Sequence, residues 1–277
     1  MNEAAARVAT ARRWFRRLGH SAIAAAPGIT VIAAPEHPDT WDANFATADL
    51  GAKPAALFDA LDRHLAHSPW RVVITDALTD PAIAAALALA GHVAQPPVIE
   101  FIAHDPLASP HPLPPIAPTR VSDAAGWNAF AVLVDADHRE GKRTGTIDPA
   151  VGAGLLDGMR RRSPPADYWL IASGAGGPPI GYGLTLACPN GLGLIEHLFV
   201  LPDHRGRGVM SAFILWAERH LRAAGCDALF IDAHAGAPPA WLYASLGFAP
   251  VSLTRNWVSH PPAQIAPARS EIVNDRR

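Results

Sequence analysis

The sequence predicts an α/β protein of two related domains, each built as a mixed sheet flanked by helices. Three observations lead there. Strand-like and helix-like segments alternate through the second half of the chain, a proline-dense stretch separates that half from the first, and the two halves match at a constant offset. Composition agrees: 277 residues, 49% apolar and 17% charged, suffice for two compact domains and exclude a disordered or fibrous chain. A formal net charge of −2 leaves no electrostatic footprint for nucleic acid or an anionic membrane surface. No apolar run reaches the roughly 18 residues that cross a bilayer. The two cysteines, Cys188 and Cys226, suit free thiols in a reducing compartment, so a cytoplasmic protein is expected.

The elements follow in order. Residues 3–19 read as an amphipathic helix with a basic face. Within it Arg12 and Arg13, in TARRWFRRL, superficially resemble a twin-arginine export signal, but Pro27 and Gly28 break the apolar segment that such a signal needs. The first domain is expected over 1–105. Residues 106–118, PLASPHPLPPIAP, carry six prolines in thirteen positions, which denies helix and central strand and predicts a stiff polyproline connector. The second domain, 119–277, begins with a strand at 119–121, helices at 127–139 and 149–162, and strands at 168–172, 180–187 and 192–200. A helix over 209–224 closed by Gly225 follows, then a strand at 228–233, a helix over 239–246 closed by Gly247, and a last strand to about 258.

Setting residue n against n + 156 without gaps pairs DRHL at 62–65 with ERHL at 218–221, Asp76 with Asp232, and Gly91 with Gly247. Of eight identities between 62 and 91, three are alanines, which an Ala-rich chain supplies cheaply; the other five fall on a helix end, a strand end and a helix C-cap, as a duplicated fold would place them.

Residues 199–216, FVLPDHRGRGVMSAFILW, run an apolar strand into a Gly- and Arg-rich turn that opens a helix. Gly206 and Gly208 let the backbone approach a ligand, and the first helical amides have no intrahelical partner. The positive helix end is worth roughly 0.3 to 1 kcal/mol per bound anionic group, and Arg205 and Arg207 can add charge-assisted hydrogen bonds. The turn therefore favours a phosphate or pyrophosphate. The offset pairs Arg205 with Asp49, Gly208 with Ala52, Met210 with Pro54 and Tyr243 with Leu87, so the first half is expected to lack this site and to serve as scaffold or as a wall of the acceptor pocket.

The succession of strand, RGRGV turn, helix and strand, then LYASLGF at 242–248, resembles the GNAT superfamily of acyl-CoA-dependent N-acyltransferases. The family's phosphate-binding signature is present as Arg205, Gly206, Arg207, Gly208 and Val209, with Met210 departing at a final position that is usually small. The resemblance covers about 119–260 and reaches the first half only as a degenerate copy, a layout similar to mycothiol synthase. It implies two GNAT-like domains with mostly antiparallel sheets. It also implies acetyl-CoA or another acyl-CoA bound by the turn, with the pantetheine arm laid along Leu198, Phe199 and Val200, and no metal.

Acyl transfer to an amine needs two proton movements. An alkylammonium of pKa about 10.4 must lose a proton, for which Glu196 on the strand and Asp232 and His234 at the end of the next are candidates. Alternation places His197 on the face opposite Glu196. The leaving thiolate must gain a proton, and Tyr243 sits at the family's position for that acid. No nucleophilic Ser or Cys arrangement stands out, which favours direct transfer. The segment 134–148, with Asp135, Asp137, His138, Glu140 and Arg143, is expected to line the acceptor site. The expected reaction is N-acylation of a small-molecule amine by a monomer or homodimer. A non-catalytic acyl-CoA sensor and another acyl-CoA reaction on the same fold (longer acyl transfer, O-acylation, malonyl decarboxylation) are the alternatives.

Overall fold

The structure, a computed structural model, describes residues 2–141 and 149–260. It opens with α1 (Glu3–Arg17), whose first turn is capped by the Asn2 side chain accepting from the Ala4 amide and whose last turn carries Arg16 and Arg17, complementing the helix dipole. The first half continues through β1 (Ala22–Ala26), β2 (Ile29–Ile32), β3 (Phe45–Ala48), α2 (Pro54–His64), β4 (Arg71–Thr75), α3 (Pro81–Leu89), β5 (Val93–Ala94) and β6 (Val98–Ala103). The second half comprises β7 (Ala117–Arg120), α4 (Ala124–Gly141), α5 (Pro149–Arg162), β8 (Asp167–Ala172), β9 (Pro179–Ala187) and β10 (Leu192–Val200). It ends with α6 (Val209–Ala223), β11 (Ala228–His234), α7 (Pro238–Leu246) and β12 (Ala249–Ser259). Pro118 falls in β7, which pairs only with β8 and so leaves the proline on a sheet edge, where its missing donor costs no ladder bond.

The strands run β1-β2-β3-β4-β12-β6-β11-β10-β9-β8-β7. Among the described residues only β3 with β4 and β10 with β11 pair in parallel. The order shows that the halves exchange strands. β6, from the first half, sits between β11 and β12. β12, from the second, pairs through residues 255–259 with β4 and through Trp257 and Val258 with β5. The offset of 156 carries 93–103 onto 249–259, so each half donates the equivalent strand to the other.

One face of the second-half sheet is covered by α1 and α4, with Val8, Ala11 and Phe15 packed among Phe130, Tyr168, Leu194 and Phe230. The other is covered by α6 and α7. The N-terminal helix thus packs on the second half's sheet, and Arg12 and Arg13, expected on a basic solvent face, are 2% and 6% exposed. The proline-rich segment also packs: Leu107 is buried, its amide bonds Glu218 on α6 at 2.9 Å, and the Ala108 amide bonds the Leu246 carbonyl at 3.1 Å.

Candidate active site

The site begins where two strands part. β10 pairs with β11 only from Leu192 to Leu194, while on their outer sides β10 holds β9 as far as Val200 and β11 holds β6 as far as His234. From Ile195 onward the facing edges of the two strands are unpaired, and backbone groups there are open to an added extended chain. A bulge between Glu196 and Phe199 contains His197 at φ +51°, a left-handed conformation that is strained for histidine. The bulge corrects the expectation from simple alternation. His197 faces α1, as Glu196 does, with its ring 6.0 Å from Phe15 and 6.4 Å from Tyr168. The gap between the strands is a cleft of about 230 Å³ lined by Glu196, His197, Leu198, Asp232, His234 and Tyr243, among others.

Beyond Val200 the chain enters the Gly-rich turn. Gly206 (φ +68°) and Gly208 (φ +77°) adopt left-handed conformations, Gly208 as the N-cap of α6. The first amide to find a carbonyl is that of Ala212, bonded to Gly208 at 2.9 Å; among the described residues the amides of 206–211 have no protein acceptor. A Cβ on Gly206 would meet nothing within 4 Å. Open backbone, consecutive free amides and a helix N-terminus suit a pyrophosphate, and the residues present therefore fit an acyl-CoA. Arg205 also has a structural task. Its Nε donates to the Val200 carbonyl at 2.8 Å, its guanidinium grips Glu140 and lies 5.5 Å from the Phe199 ring, so it ties the turn to β10 and α4. Arg207 is exposed beside the turn. Met210 packs into the α6–α7 core.

The corresponding turn of the first half is built differently. Five residues join β3 to α2 against eight between β10 and α6, so the ungapped match of Asp49 to Arg205 does not hold in space. The amides of Asp49, Gly51 and Ala52 are taken by Gly28, Asp80 and Asp49, and the Asp49 carboxylate pairs with Arg13.

Behind the cleft lies a charge cluster that sequence reasoning missed. Arg12, 2% exposed, is bound to Glu100 at 3.0 Å, to Asp232 at 2.9 Å and to Glu196. Thr254 donates to Glu100 at 3.1 Å. One guanidinium faces three carboxylates, and the surplus negative charge in a buried setting favours protonation. Burial, with the charges of Asp232 and Glu100, outweighs Arg12 and raises the Glu196 carboxyl to about 7. Burial likewise raises Glu100. The neighbouring Arg13 holds Asp76 at 2.7 Å, so consecutive arginines of α1 reach the two aspartates that the repeat had paired. The available signals were faint: a lone acid in VIEFIA and an Arg pair on a helix.

Tyr243 lies on α7, 5% exposed, its ring packed edge-on against Phe101 at 6.0 Å. Among the described residues its hydroxyl has no hydrogen-bond partner, and burial pushes the phenol above its ordinary value, so it stays protonated as a donor. His234 is exposed at the end of β11. The segment expected to line the acceptor site ends α4: Asp135 pairs with Arg139, Asp137 accepts from the Tyr182 hydroxyl at 2.5 Å, and Glu140 meets Arg205. Arg143 lies outside the described residues.

Residues 131–248 match the Acetyltransferase (GNAT) family. That stretch is similar to a GNAT domain. Among solved structures it is similar to a GCN5-related N-acetyltransferase from Kribbella flavida, at 18% identity and TM-score 0.66 over 95% of this chain and 97% of that one. A GCN5-related N-acetyltransferase from Sphaerobacter thermophilus matches at 14% identity and TM-score 0.57 over 84% and 76%. A tandem GNAT protein from the clavulanic acid biosynthesis pathway matches at 14% identity and TM-score 0.52 over 78% and 75%. No curated protein sequence matches the chain. The GNAT fold is thus shown over most of the length, and the GNAT family is one of acetyltransferases that use acetyl-CoA. Among the described residues no cluster suits a metal ion, and no helix is long and apolar enough to cross a membrane.

Proposed function

We propose that the protein is an acyl-CoA-dependent N-acyltransferase that moves an acyl group, acetyl foremost, directly onto a small-molecule amine. The observation that carries this reading is the pairing across one cleft of a carboxyl raised to about 7, Glu196, with a buried protonated phenol, Tyr243. When bound, acyl-CoA supplies an activated thioester. The amides of 206–211 hold its pyrophosphate, and the unpaired edges of β10 and β11 orient its arm. Glu196 accepts the proton of the incoming ammonium, directly or through water; a base near 7 spans more of the gap to about 10.4 than an ordinary glutamate does. Asp232 shares Arg12 with it, and His234 at the cleft mouth gives the proton a route to solvent. Tyr243 donates to the departing thiolate. The cleft lining contains no serine or cysteine, and burial pushes the Cys188 thiol up to about 12, both of which support direct transfer over a covalent enzyme intermediate.

The test incubates the protein with several acyl-CoAs and an amine panel while free thiol and product mass are followed. Amine-dependent thiol release with an N-acylated product supports the proposal. Measurable acyl-CoA binding without transfer to any amine overturns it in favour of a sensor.

A further inference from the structure

Seven buried side-chain polar atoms in the described residues lack a hydrogen-bond partner, and five share one place: Arg16 Nη1, His20 Nδ1, Arg162 Nε, Tyr168 Oη and His197 Nε2. Contacts make four of these residues continuous, and Arg16 shares Arg12, Asp42 and Asp232 with His197 as electrostatic neighbours. Arg162 Nη2 is 3.3 Å from His20 Nε2, and its guanidinium lies 5.0 Å from the Phe15 ring, which in turn neighbours His197. The Tyr168 ring stacks on His197. Arg162 and Tyr168 are 5% and 0% exposed, too deep for bulk water to satisfy them. The residues come from both halves, Arg16 and His20 from the first and the others from the second. None has a part in the acyl transfer described above.

The charge of this patch is fixed by its members. Burial, reinforced by Arg162, lowers both His20 and His197 to about 4, so they are neutral at pH 7 and the patch charges are Arg16 and Arg162. The nearest carboxylate on the outer side, Asp42, is exposed. On the inner side stand Glu196, Glu100 and Asp232, with Arg12 bound to them and Arg16 within electrostatic reach of Glu100 and Asp232, and Tyr168 is within electrostatic reach of both Arg162 and Glu196. His197 belongs both to the cleft lining and to this patch, so beyond the carboxylates that take a proton the cleft adjoins a positive end rich in unused donors. A simple amine would leave the positive end unpaired at a cost of about 1 to 3 kcal/mol per buried group, whereas a compact oxyanion accepts from several of them at once.

We propose that Arg16, Arg162, Tyr168 and His197 form the anion subsite of the acceptor, and that the acceptor is an amine carrying a carboxylate, an amino-acid-like zwitterion whose ammonium faces Glu196. This rests on the N-acyltransferase reading. Full-length protein and acetyl-CoA are assayed with matched acceptors, amino acids against their carboxamides and decarboxylated amines, by thiol release and product mass. The carboxylate member of each pair should be favoured in kcat/KM by about tenfold or more, as expected for charge-assisted hydrogen bonds. In Arg162→Gln and Arg16→Gln that ratio should collapse towards one, and Arg162→Lys should restore part of it. Equal or better use of the uncharged acceptors by the wild-type protein overturns the subsite and leaves N-acylation standing. If no amine reacts, the N-acyltransferase reading fails; calorimetric titration with N-acetyl amino acids against their amides then decides the subsite, and no preference for the carboxylates overturns it.

Discussion

Replacing Arg12 by glutamine removes the one guanidinium that, among the described residues, is bound to Glu100, Glu196 and Asp232, and the consequences depend on pH in a direction that the cluster dictates. Breaking a buried ion pair from one side costs about 3 to 5 kcal/mol, and a domain of this size loses about 2 to 4 °C of midpoint per kcal/mol, so the melting midpoint should fall by about 10 °C at pH 8. The loss should shrink on acidification. A carboxyl whose folded pKa is raised contributes stability that is fully present below its unfolded value, about 4.3, and is lost as pH rises through the folded one. For Glu196 that window already runs to about 7 in the wild-type protein, and without Arg12 it extends higher. The difference in midpoint between Arg12→Gln and wild type should therefore be small at pH 5 and widen by pH 8. Activity should move with it. A charge at 4 Å is worth about 4 kcal/mol at an effective dielectric of 20, and a third of that is about one pH unit, so the acid limb of kcat/KM, near 7 in the wild type, should shift upward by at least about one unit. Differential scanning fluorimetry across pH and a pH–rate profile supply both readings. A midpoint loss independent of pH, together with an unmoved acid limb, would refute the argument that Arg12 sets the protonation of the base.

Glu196→Gln should leave acyl-CoA affinity by calorimetry nearly unchanged and lower kcat about 10² to 10⁴-fold at pH 7, the ordinary worth of a general base; full activity would move that role to another residue. Tyr243→Phe should likewise preserve acyl-CoA binding and cut turnover, and an unchanged turnover number would remove the phenol from the mechanism. Gly208→Val places a β-branched residue at φ +77°, with its Cβ 3.2 Å from Pro114, and should weaken acyl-CoA binding about tenfold or more, with the melting midpoint checked alongside to separate binding from folding. A fragment beginning at residue 106 lacks β6 and should show no cooperative melt by circular dichroism; a folded fragment would show that the exchanged strand is dispensable.

Much of the second half was legible because its signals are local. Gly208 and Gly247 mark helix ends through left-handed backbone, and 192–200 is a mostly apolar strand, broken only by Glu196 and His197, bounded by turns. The RGRGV turn could be placed for the same reason. His197 escaped because a bulge breaks the period on which the alternation argument depends. The strand exchange was invisible for a deeper reason. Segments 93–103 and 249–259 are equivalents in a repeat, and two equivalent strands fit either slot with the same apolar pattern; nothing in periodicity says which sheet each completes. The exchange and the Arg12 cluster are one fact seen twice. Because β6 crosses into the second sheet, Glu100 arrives beside Asp232, its register partner, and because α1 packs over that sheet, Arg12 can bind both. The first half's turn differs from the cradle of the second, and the first half supplies Glu100, Arg12 and Arg16 to the surroundings of the cleft. The charged residues of one half therefore have to be read for what they deliver across the exchange as well as for what they do within their own half.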